Sequence, residues 1–445
     1  MKSVRRSFER LALLLLALCS APTVRAELLH VDPAAPVGGD GSLASPYSDL
    51  GTAVAAASAR TLADSTLALS LMLAPGRYRL APTNAVEPTC GNCEDPNTPV
   101  PLTYGLRLSG RNLRLVGAED HQSIVETRAG YGIWIVDCQS CALEGLVVEG
   151  GVRDTSGAAT DGAIVVQRSS ARLEGNWIRD NIGDSTTVAS HVVGIIGIAC
   201  REESRVRIVE NRITRNSWDG IALYRDAEAE IVGNVIDGVD LAVGSRVGGG
   251  RGVGIGCTWN ARATIRGNLV RRYWKGIGLF VDANGTVEDN VVNHVATWGL
   301  TLWDAGRGAC RGRFRWNAVD STGACGASIV REAVGPDPGF FSDNAITRSG
   351  QNPKYDSGEP YCFQTAIAVH AQPEGFSIER NLVFENRRPE EADPNEPSGD
   401  LPEAEFRLRV QTLVQHLARY DATRGSRFFR EFGATPKDVA PTRRR

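Results

Sequence analysis

Gly162, Gly197, Gly220, Gly254 and Gly276 are each followed, fourteen residues on, by an asparagine: Asn176, Asn211, Asn234, Asn268 and Asn290. Gly132 keeps the same register, with Leu146 in the asparagine position. Each glycine opens a short β-branched run (DGAIVV, VGIIGIA, DGIALY, VGIGCT, KGIGLF), and each asparagine opens another (GNWI, ENRI, GNVI, GNLV, DNVV). Further copies follow at Asn317, Asn344 and Asn381, and the tightest repeats are 22 and 23 residues long. A unit this short has too little apolar surface to fold alone and must stack on copies of itself. Its runs are too short and too β-branched for helix pairs, and the leucine skeleton of leucine-rich repeats is absent. The pattern predicts an all-β chain: a right-handed parallel β-helix solenoid of about ten rungs. Rungs stacked ~4.8 Å apart would place every Asn in one left-handed turn, its amide bonded to the amide of the next rung.

The ends of such a coil expose unpaired edges and need covers. Residues 48–59 predict an N-terminal cap helix, within an entry module spanning 27–104 ahead of a β-helix over 105–387. A charged, Pro-rich linker at 388–400 leads to a C-terminal helical tail, 401–445, with Phe406, Val410, Leu413, Val414 and Leu417 on one face. Residues 1–26 read as a signal peptide: a basic start, a short apolar run and small residues before Ala26. No later segment is apolar for long enough to span a bilayer, so an exported protein, periplasmic or extracellular, is expected, and a monomer. A balance of 52 acidic against 49 basic residues gives no field to attract a polyanion, so no nucleic-acid partner is expected. The Cys90/Cys93 and Cys138/Cys141 pairs fit local disulfides better than a zinc site, because no His accompanies them. Cys310 and Cys325 offer a third loop-pinning pair.

The stretch HVDPAAPVGGDGSLASPYSDLGTAVAAAS, followed by APGRYRL, resembles the entry module of secreted proteins of the pectin-lyase-like right-handed β-helix family, and the asparagine rungs resemble that family's generic repeats. The resemblance spans about residues 29–385 and implies a carbohydrate-associated protein. It does not extend to chemistry. The D-P-H-[DE] phrase of alginate epimerases is absent, as is the N-T-D, G-H-G and R-I-K series of polygalacturonases.

Counting each strand from its glycine, positions one and three should face inward and position two outward. The outward column reads Ala199, Ala222, Gly256, Gly278 and Thr301, a strip open enough for an extended ligand to lie on, although such residues also serve as plain filler. Beside it stand Tyr224, Trp259, Asn260, Phe280, Trp303 and Asp304, with Trp274 on the other side: rings to stack on sugars and polar groups to take hydroxyls. Lys275 is one of only four lysines, and unlike Arg it can work as a neutral base, which suits β-elimination from a uronate, with Asp219 and Arg225 nearby. Hydrolysis would instead use paired carboxylates, and Asp226 and Asp282 share a column. No His motif suggests a metal, so no cofactor is expected; calcium would have only Asp226, Asp282 and Asp304. The reading is an exported protein that binds a polysaccharide along a lateral groove, with cleavage by elimination or hydrolysis left open; the alternative is a noncatalytic periplasmic or surface protein, accessory or adhesin-like.

Overall fold

The computed structural model describes residues 25–158, 160–184, 193–238, 251–304, 306–333, 337–356, 361–384 and 386–387. The C-terminal tail, the linker and most of the expected signal peptide lie outside these residues. Three sheets run the length of the coil: sheet I with twelve strands, from Arg25–Val31 to Ser377–Glu379; sheet II with eleven, from Gly76–Arg79 to Leu382–Phe384; and sheet III with eleven, from Thr83–Glu87 to Ile367–Ala371. Pairing is parallel throughout, except where Thr83–Glu87 runs antiparallel to Val100–Arg111. Sheet strands therefore begin well before residue 105, and the entry module is part of the coil. The helix spans Leu50–Ala63, with Asp49 accepting the Thr52 N–H at 2.7 Å as its cap. Its Leu50, Ala53, Val54 and Ala57 join the central core. Among the described residues no helix is long and apolar enough to cross a membrane.

The inward columns fall as the alternation predicts. Ile198, Ile221, Ile255, Ile277 and Leu300 stack in one line, and Cys200, Leu223, Cys257, Leu279 and Leu302 in the next, all in the core. The register glycines have a steric cause. A Cβ on Gly197 would lie 2.6 Å from the carbonyl oxygen of Gly220, and one on Gly220 would lie 2.5 Å from that of Gly254. Backbone crosses backbone where each rung enters sheet III, so a side chain has no room there.

The asparagines form an unbroken row. The side-chain Nδ2 of Asn176 donates to Oδ1 of Asn211 at 3.0 Å, and the same bond recurs from Asn211 to Asn234, then to Asn268, Asn290, Asn317, Asn344 and Asn381 at 2.9 to 3.0 Å. Each Oδ1 also accepts the backbone N–H of the preceding rung's Asn, and at the head of the row Asn176 accepts from Leu146. The expected backbone conformation is corrected: the left-handed residue is the one before each Asn, as at Glu210 (φ 54°), Gly233 (67°), Gly267 (64°) and Asp289 (54°). The turn is made first, and the buried amide of the Asn behind it lies within the coil.

Cys90–Cys93 and Cys138–Cys141 are disulfides. The expected Cys310–Cys325 pin is not formed, because Cys310 is a buried thiol within the core while Cys325 packs with Trp298 and Tyr355. Cys200 and Cys257 occupy one column with Leu223 between them, on the order of 10 Å apart and beyond disulfide reach. Burial pushes the Cys257 thiol up to about 12 and Cys200 higher still. Both should resist alkylation in the folded protein and react fully once it is unfolded. A Cys200–Cys257 bridge found by mass mapping would contradict the register.

Candidate functional site

The outer face of sheet III is not an open strip. Ala199, Ala222, Thr301, Ser328 and Ala368 are 0 to 1% exposed. Tyr131, Trp134 and Tyr224 lie over the earlier rungs, with Trp218 and Trp259 packed against them. On the later rungs the Phe280 ring sits where a Cβ of Gly278 would be, and Trp298 and Tyr355 form a second cluster against which Trp303 packs. The column is small because rings fill the space above it. Large aromatic faces gain more from burial than a bare backbone strip gains from water.

A buried ionic knot holds one covering loop down. Arg201, fully buried, donates from Nη1 to Glu87 (2.9 Å), the Tyr131 hydroxyl (2.8 Å) and Thr160 (2.6 Å), and from Nη2 to the Thr89 carbonyl (2.9 Å). Burial raises the Glu87 carboxyl, with Arg201 opposing the shift. The Trp259 indole N–H donates to Asn92 at 3.1 Å, beside the Cys90–Cys93 disulfide. A second buried pair, Arg153–Asp161, stands in the preceding connection.

Lys275 opens its strand of sheet III, and its ammonium enters an aromatic box: Nζ lies 4.4 Å from the ring centre of Trp298, 5.0 Å from Trp274, 5.5 Å from Trp303 and 5.6 Å from Phe280. Desolvation pushes the amine down to about 8, against the pull of the Asp219 carboxylate and the Cys362 thiol. Asp219 is buried and held up at about 7 by desolvation, while the Val253 N–H (2.6 Å), the Lys275 charge and a hydrogen bond with Tyr224 pull it down. Burial, then the Asp219 charge, raises the Tyr224 hydroxyl well above its ordinary value. Gly252 is required here, since a Cβ at that position would overlap Oδ1 of Asp219. Lys275, Trp274, Phe280 and Trp303 are half-buried, so the box keeps a face to solvent.

The other expected residues lie elsewhere. Arg225, Asp226, Trp259 and Asn260 have φ between 50° and 62° and make the corner between sheets III and I. The Arg225 guanidinium lies 4.5 Å from the Trp259 ring centre. Asp282 accepts the Asn260 N–H at 2.6 Å, so this carboxylate is tied to the rung between itself and Asp226, and the two do not face each other across a cleft. Asp304, 1% exposed, accepts N–H groups from Glu332 (2.7 Å), Ala333 (2.9 Å) and Gly306 (3.1 Å); it anchors a turn and is not a ligand-facing group. Among the described residues no group of three or more His, Cys, Asp or Glu side chains is arranged to hold a metal ion, Asp226, Asp282 and Asp304 included. Sequence spacing gave no sign of Tyr361, whose ring stacks on Trp303 and whose carbonyl accepts the Trp298 indole N–H at 2.8 Å. It comes from a connection outside the repeat.

Asp219 makes stability depend on pH in a stated direction. Its folded value of about 7 exceeds the ordinary 3.8, so between these values the unfolded chain releases a proton that the folded chain keeps. Its contribution is intact below about pH 4 and lost as pH rises through about 7. Asp219→Asn should flatten that part of the denaturation midpoint against pH; an unchanged slope would show that Asp219 is not the group responsible.

Residues 194–383 match the family described as right handed beta helix region. With three parallel sheets around one core, the chain is a right-handed parallel β-helix solenoid. Solved structures similar to it include the pectate lyase Pel9A (12% identity, 86% of this chain and 83% of that one, TM-score 0.40) and PfbA, a surface adhesin of Streptococcus pneumoniae (9%, 71% and 68%, TM-score 0.40). A GH136 lacto-N-biosidase from Eubacterium ramulus is also similar (9%, 80% and 68%, TM-score 0.42). No curated protein matches the sequence.

Proposed function

We propose that the chain is an exported protein that binds a uronate-containing polysaccharide over the aromatic box of sheet III and cleaves it by β-elimination, with Lys275 as the base. One observation carries this reading: a half-buried amine, lowered to about 8, beside a carboxylate raised to about 7, under rings that keep a solvent face. Groups tuned toward neutrality by desolvation and a specific charge partner are what proton transfer at neutral pH requires. In the reaction Nζ of neutral Lys275 takes the proton alpha to the uronate carboxylate. The freed electron pair forms the C=C bond, and the C–O bond to the leaving sugar breaks, its oxygen taking a proton from water. Asp219, fixed by Val253 N–H and Tyr224, acts on the amine through its charge. Trp274, Phe280 and Trp303 offer faces for sugar rings. Arg225, two rungs earlier and on the order of 10 Å away along the axis, supplies a cation for a neighbouring uronate.

The covered strip favours a second reading, a noncatalytic binding protein, because among the described residues rings cover the small column of sheet III along its length. A panel of polyuronates and neutral glycans, followed for binding and for the ultraviolet absorbance of an unsaturated product, separates the two. Product from a polyuronate supports elimination; bound polymer without product from any member leaves the binding protein.

A further inference from the structure

A polar trough crosses the outer face of sheet I, away from the Lys275 box. One cavity of about 530 Å³ lies on the sheet and another of about 560 Å³ lies at its corner with sheet III, and Arg205, Glu228 and Arg262 line both. The sheet cavity reaches from the strand Arg205–Val209 across those at Glu228–Val232, Arg262–Arg266 and Asn284–Glu288 to Arg313 on the next. Five rungs at the strand spacing give a length on the order of 20 Å.

We propose that this trough binds an uncharged, hydroxyl-rich polysaccharide chain lying along the coil axis. Its floor is Thr264, Asn284 and Thr286, short polar side chains that are half-buried. Its walls are ion pairs: Arg207 to Glu230 at 2.7 Å, Arg262 to Glu228 at 3.2 Å and Arg205 to Glu228 at 3.6 Å. Arg207 and Glu230 are 58% and 47% exposed. Exposed pairs contribute little to stability, so their donors and acceptors are available to a ligand. A guanidinium donating to one hydroxyl while its carboxylate accepts from the neighbouring hydroxyl matches a vicinal diol. The charges also select the ligand class. Arg168, Arg205, Arg207, Arg262 and Arg313 stand against Glu203, Asp226, Glu228 and Glu230, so the lining is close to balanced, its charges are largely answered within the trough, and it offers no strong positive field to hold a polyuronate. An apolar peptide finds no purchase, because Val206 and Ala263 turn into the core and, among the described residues, no aromatic side chain lines the trough. The trough is independent of Lys275 and of any cleavage.

The test is affinity electrophoresis of the full chain through gels containing xylan, a mixed-linkage β-glucan or galactomannan, with polygalacturonate as the charged comparison. The protein should be retarded by at least one neutral polymer. Arg207→Ala/Glu230→Ala should weaken that retardation at least tenfold at an unchanged melting temperature, and Lys275→Arg should leave it intact. Should the double variant lose stability, Thr264→Gln, which crowds the floor without adding a charge beside Glu230, must give the same loss. Retardation by polygalacturonate alone, no retardation by any neutral polymer, or equal retardation of the variants and the parent overturns the proposal. None of these outcomes bears on elimination at Lys275, which is read by product.

Discussion

Asn234→Ala is expected to lower the free energy of unfolding by about 3 to 5 kcal/mol, taking roughly 1 kcal/mol for each of the four hydrogen bonds lost. The Asn234 amide accepts from the backbone N–H (2.8 Å) and Nδ2 (3.0 Å) of Asn211, and donates to Oδ1 of Asn268 (2.9 Å) and to the Ile208 carbonyl (2.9 Å). All four partners are buried, so none can turn to water when the amide is removed. Asn381 is the internal comparison. It accepts from the N–H and Nδ2 of Asn344 and donates back to Phe341, and it is half-buried, so Asn381→Ala should cost clearly less. Chemical denaturation of both variants checks the ordering. Equal midpoints for Asn234→Ala and the parent would remove the row of amides as a source of stability.

Lys275→Arg should abolish elimination, with turnover falling by on the order of 10² to 10⁴, the range for loss of a general base, while polymer affinity is kept. Arginine retains the charge and the ring contacts but cannot release its proton. The parent's turnover should rise with pH through about 8, because only the neutral amine accepts a proton and desolvation sets the Lys275 value there. Undiminished turnover in Lys275→Arg would transfer the base role to another group, and a profile that is flat from pH 6 to 9 would do the same.

Much of the fold was legible because its causes recur at every rung. The glycine register follows from carbonyl oxygens that leave no room for a Cβ, and the asparagine register from amides that need partners one strand away. That Lys275 and Asp219 lie close enough to feel each other's charge follows from the same register, since each stands just before a register glycine. The covered strip was not. Alanine and glycine report that something lies close above the backbone, and a ligand and a tryptophan ring leave the same signature in sequence. Asp304 was misread because a buried carboxylate bonded to three N–H groups and an exposed one awaiting sugar are the same letter. Tyr361 belongs to a connection with no repeat to align.

The row of equivalent amides has a weakness that the rest of the chain must correct. Sliding one part of the coil past another by a whole rung would re-form nearly every Asn–Asn bond and would set Cys, Leu and Ile against similar neighbours in the core. Neither the row nor the apolar columns can count rungs. The Arg201–Glu87–Tyr131–Thr160 knot can, since it ties residues 70 and 114 positions apart in sequence and is satisfied in a single alignment. A slipped coil would part that buried guanidinium from Glu87, Tyr131 and Thr160, leaving it only its chain neighbour Glu202 and leaving Glu87 buried without its cation, a cost above one amide bond. Its part in folding is therefore arithmetic: the knot makes one number of rungs between the disulfide loop and the middle of the coil correct and the adjacent numbers wrong.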